Sequence, residues 1–72
     1  MDPTLADALI ASGESHEVLF KWAEWYLEEA HFCADMFRMF HHQEHFDKAV
    51  DCLAKTVAYR HAAEVIRVRK AS

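Results

Sequence analysis

Two residue pairs carry the spacing of a carboxylate metal centre: Glu28-x-x-His31 in "EEAH", and the reversed His61-x-x-Glu64. A carboxylate and an imidazole three apart on a helix leave from the same face, and this pair supplies ligands in di-iron helical bundles. A chain folded back near residues 43–44 brings Glu24, Glu28 and His31 level with His61 and Glu64, so a dimer of such chains could line a metal centre. Glu28 and His31 nevertheless sit in a polar stripe and should face water, whereas ligands of a bundle centre must point inward. A metal-binding four-helix bundle using these five residues is the alternative expectation, and no cofactor is the first.

Three histidines in "MFRMFHHQEHF", namely His41, His42 and His45, pose a second possibility. His41 and His45 are one turn apart and could chelate a transition metal if one helix ran through both, but no cysteine or carboxylate completes a tetrahedral set. Cys33 and Cys52 lie at nearly mirror positions about this segment and should come close as reduced thiols. Neither has an adjacent base that would mark a nucleophile. Phosphate-binding glycine loops, Ser–His–Asp arrangements and CxxC motifs are absent from the sequence, and a non-enzymatic chain is expected.

What elements must position these residues? The 72 residues include one Gly and one Pro, both early, and no run alternates with the period of a strand. An all-α chain is expected. In "MDPTLADALIASG" Asp2 can cap, Pro3 suits the first helical position and Gly13 can take the left-handed stop, giving a short helix near 3–11 with Leu5, Leu9 and Ile10 on its apolar side. Ser12 or Ser15 then caps a second helix.

From Ser15 onward nothing punctuates the chain, yet the phase of its polar stripe does. Glu17, Lys21, Glu24, Glu28, His31, Asp35, Arg38 and His42 recur at spacings of four and three. Continued past His42, the stripe falls on Phe46, Ala49, Leu53 and Thr56, while a new one starts at Glu44, Lys48, Asp51 and Lys55. Cations before the break and acids after it match the dipoles of a helix end and a helix start. The expectation is an antiparallel helical hairpin with helices near 15–41 and 45–69, the whole chain forming a single small helical domain.

One hairpin cannot bury all of this apolar surface. The strip Leu19, Ala23, Tyr26, Ala30, Cys33, Phe37 and Phe40 suits packing on the third helix. A second strip, Val18, Trp22, Trp25, Phe32, Met36 and Met39, lies about 80° round and needs another partner, part of which the first helix could supply. On the third helix the apolar side is first Phe46, Val50, Leu53 and Val57, and that sector then turns into Arg60, Glu64 and Arg67. Ala58, Ala62, Val65 and Ile66 become apolar on nearly the opposite side, as if a kink or a second chain met that half.

The formal net charge is −4, with 12 acids against 8 bases, which speaks against a nucleic-acid surface. Arg67, Arg69 and Lys70 close the chain, where they complement a helix dipole. Charges interrupt the apolar positions too often for a membrane span, and two cysteines without a leader pattern suggest the cytoplasm. "HFDKAVDCLAKTVAY" superficially resembles the second helix of a tetratricopeptide repeat. Starting that motif at Trp25, however, puts Glu28 and Glu29 where it needs Leu and Gly, and no family is identified.

These patterns point to a protein–protein interaction module: Val18, Trp22, Trp25, Phe32, Met36 and Met39 form either the core of a homodimeric four-helix bundle or a docking face for a larger protein, and Arg60, Glu64 and Arg67 either an ordinary surface ion-pair row or a recognition row on such a partner. Homodimerisation into a helical bundle is expected because a core this small gives only about 3–5 kcal/mol. By analogy, small phage or bacterial antagonists that block a larger protein have this build.

Overall fold

The computed structural model describes residues 4–71, and among them there are three helices and no strand. Helix α1 spans Leu5–Ala11, α2 His16–Phe40 and α3 Gln43–Ala71. Thr4 caps α1, its hydroxyl accepting the Asp7 backbone N–H at 3.2 Å. The expected Asp2 cap and Pro3 lie outside the described residues. Ser12 turns the chain by donating its hydroxyl to the Leu9 carbonyl at 2.7 Å and accepting the Glu14 N–H at 3.3 Å. Gly13 follows at φ +82°, a conformation a side chain would strain. Ser15 then caps α2 by accepting the Val18 N–H.

The break between α2 and α3 is tighter than the sequence pattern indicates. His41 adopts φ 58°, ψ 25°, and its N–H donates to the Phe37 carbonyl at 2.7 Å, closing α2 with a left-handed residue. Only His42 intervenes before α3 starts at Gln43, two residues earlier than expected. Gln43 stabilises this first turn by donating its side-chain amide to Asp47 at 3.1 Å. Phe37 packs on both sides of the bend, its ring 6.0 Å from His41 and 5.4 Å from Phe46.

Contacts between α2 and α3 then pair falling numbers with rising ones. Phe37 meets Phe46, Tyr26 meets Tyr59 at 5.3 Å, and Leu19 meets Ala62 and Ala63. The seam is built from small residues: Ala23, Ala30 and Cys33 of α2, with Ala49, Thr56, Ala62 and Ala63 of α3, are buried. Thr56 tolerates burial because its hydroxyl donates to the Cys52 carbonyl one turn back at 2.9 Å. Among the described residues Leu19 is the one large side chain withdrawn almost completely from solvent.

Three expectations need correction. First, α1 packs on α3 and leaves the Trp strip of α2 uncovered. Leu9 and Ile10 join Ile66 and Tyr59 around Leu19, Ala62 and Ala63. The apolar shift in the second half of α3 is therefore met by α1 of the same chain. Second, Val50, Leu53 and Val57 do not form the packed side of α3 but are exposed, and Phe46 keeps only its contact with Phe37 while remaining about half exposed. The small seam brings the helices close and leaves no depth for these larger groups, so Ala49, Cys52 and Thr56 turn inward instead. Third, Phe40 is exposed, being the last residue of α2 before the chain turns away at the left-handed His41.

The result is a slab with principal extents of 47 × 28 × 13 Å. Its radius of gyration is 14.1 Å, against about 11 Å for a compact chain of this length. The accessible surface of 5421 Å² exceeds by about 800 Å² the value typical of a monomer of this mass.

Candidate functional site

The expected interface strip on α2 stands open. Trp22 and Trp25 are each about half exposed, at 47% and 49%, and Phe32 and Met39 are more exposed still. Val18 is exposed as well, and Met36 is half-buried. The positions recur at spacings of four and three, which holds them on one side of the helix. The two indoles are ordered by contact with each other and with the core: Trp22 and Trp25 meet edge to face at 5.8 Å, and Trp25 meets Tyr26 at 5.1 Å. Tyr26 is anchored in turn against Tyr59. An open hollow of about 480 Å³ is lined by Val18, Lys21, Trp22 and Trp25.

Beside Lys21, charged groups of both signs border this face. The Lys55 ammonium lies 5.4 Å from the Tyr26 ring centre and 3.0 Å from the Asp51 carboxylate. That hydrogen bond holds the lysine above its ordinary pKa. Glu29, at the middle of the strip between Trp25 and Phe32, is half-buried, and it makes no hydrogen bond or ion pair among the described residues. Its carboxylate contributes to the raised pKa of Cys52, which is chiefly an effect of burial and, next, of the neighbouring Cys33. Both cysteines are free thiols.

The second expected surface row is ordinary in its pairing. Glu64 and Arg67 form an exposed ion pair at 2.7 Å along α3, and Arg60 lies exposed one turn earlier. His61, Glu64, Val65, Val68 and Arg69 border a shallower hollow of about 350 Å³.

The residues of the metal alternative are not brought together within the chain. Glu24, Glu28 and His31 project from α2 into solvent, His61 is exposed on α3, and Glu64 is engaged by Arg67. Among the described residues no group of three or more His, Cys, Asp or Glu side chains is placed to hold a metal ion. His41 falls in the turn and His45 in the first turn of α3, which separates the expected i,i+4 pair between two elements. His42 and His45 stack edge to face at 5.9 Å. No helix among the described residues is long and apolar enough to cross a membrane.

Sequence reasoning missed the open strip on α3. Phe46, Val50, Leu53 and Val57 look like a core stripe at the same spacing as the buried one, and only the run of small residues beside them signals otherwise. No protein-family model, curated protein or solved structure matches the chain.

Proposed function

We propose that this chain is a non-enzymatic interaction module, a small regulator or inhibitor that docks on a larger protein and blocks it. The observation that carries the proposal is the ordered aromatic strip of α2: two half-exposed indoles braced by Tyr26, continued by Phe32 and Met39. Trp side chains are enriched among residues that dominate binding energy, and bracing lowers the entropy lost when they are buried. Tryptophan and methionine are also favoured in interface cores. We read α2 and α3 as a helical hairpin that pairs with a second copy into a bundle, a reading supported by the surplus surface of the slab. Two free thiols fit a reducing cytoplasm as its setting.

The test compares two baits in extract of the native host, the wild-type chain and Trp25→Glu/Phe32→Glu. A protein retained by the first and lost from the second is then purified and mixed with each. A complex of defined stoichiometry with wild type alone supports docking through this strip. Equal retention by both baits, or no defined complex, refutes it.

A further inference from the structure

We propose that the outward strip of α3, Phe46, Val50, Leu53 and Val57, is the surface on which a second copy of this chain binds. The inference rests on the pairing half of the reading above and adds which face pairs. The four positions recur at spacings of four, three and four, the repeat of a left-handed coiled-coil seam; Val50, Leu53 and Val57 are open, with Val57 67% exposed, and Phe46 is about half exposed while its ring also meets Phe37 of α2. No charge interrupts them.

A two-fold axis between Val50 and Leu53 sets two α3 helices antiparallel. Phe46 then lies opposite the partner copy's Val57 position, and Val50 opposite the Leu53 position, each contact made twice. Apolar meets apolar at every level.

The Trp strip of α2 fails the same test. Glu29 occupies its midpoint, so two-fold pairing there sets two carboxylates against each other in a closing apolar interface. Like charges deprived of water are strongly unfavourable, and Glu29 makes no ion pair among the described residues that would compensate. That face suits a partner that supplies a cation or hydrogen-bond donors, which a second copy docked symmetrically does not.

The two strips also point apart, so both can be occupied together. Lys55 marks the Trp side of α3 through its contact with Tyr26, whose ring touches both indoles. At 100° per residue, Leu53 and Val57 leave α3 roughly 160° from Lys55. A second copy also supplies the second packed layer that a slab 13 Å thick lacks.

The test is the mass in solution of the full chain by sedimentation equilibrium at about 100 µM, with far-UV circular dichroism to check helicity. Wild type and Trp25→Glu/Phe32→Glu are expected at twice the chain mass. Leu53→Glu and Val57→Lys are expected to halve it with unchanged helicity; Val57 is exposed enough that its replacement leaves the intrachain seam intact. A wild type at the single-chain mass overturns the inference, as does a Val57→Lys variant that remains dimeric. Failure of docking on a larger protein is scored separately by the bait comparison, which does not depend on mass.

Discussion

Leu19→Ala should be far more damaging than truncation of the larger but exposed Phe32 on the same helix. Leu19 is 1% exposed and packs on Ala62 and Ala63, with Leu9, Ile10, Phe20, Tyr59 and Ile66 around it. It is the point where all three helices meet. Leu→Ala truncations at buried sites cost about 2–5 kcal/mol, the spread reflecting how far the cavity collapses. The two neighbours buried with it, Ala62 and Ala63, have side chains too short to move in, so a cost of about 3 kcal/mol is expected. For a chain of this size each kcal/mol moves Tm by roughly 4–8 °C, so the midpoint should fall by roughly 12–24 °C. Phe32→Ala removes more atoms but from a side chain 61% exposed, and should cost about 0.5 kcal/mol or less. Thermal melts followed by circular dichroism, at one protein concentration for all variants, measure both. A Leu19→Ala midpoint within a few degrees of wild type, or a larger loss for Phe32→Ala, would refute the assignment of Leu19 as the centre of the core.

Three further outcomes follow from local features. Ser15→Ala removes the acceptor for the Val18 N–H and should destabilise by about 1 kcal/mol, read as a lower urea midpoint at unchanged slope. His41 holds a left-handed conformation, so His41→Gly should be neutral or raise Tm, whereas His41→Val should lower Tm, destabilising the fold by about 1 kcal/mol or more. Burial, and then the neighbouring Tyr26, push the Tyr59 phenol above its ordinary pKa. The stability this reflects is fully present below pH ~10 and is lost as pH rises through the raised value. Tyr59→Phe should flatten that alkaline decline in melts recorded from pH 8 to 11, and a decline identical to wild type would remove Tyr59 from it.

The bend was legible because two polar stripes with different phases cannot share one straight helix. Its position between α2 and α3 follows from where the charge and apolar periods stop agreeing, near His42. Its tightness was not legible, since a left-handed histidine leaves no compositional mark as a glycine does. Ser15 and Gly13 were readable for the opposite reason, each being the residue type its local geometry favours. The open strip of α2 could be identified from excess apolar arc, because one helix-to-helix contact buries only one face. The strip on α3 could not, because periodicity records that a face is apolar but not which apolar face is packed.

The sequence by itself determined that this chain is helical, where it divides into helices, and that its apolar surface exceeds what those helices can bury against each other. These are consequences of local periodicity and capping, which act within a few residues along the chain. Only the tertiary structure decided that α1 lies on α3, that alanine, cysteine and threonine form the seam, and that large apolar residues of both long helices point outward. Those choices depend on how closely two helices approach, which is set by small side chains distant in sequence and matched only when the chain folds.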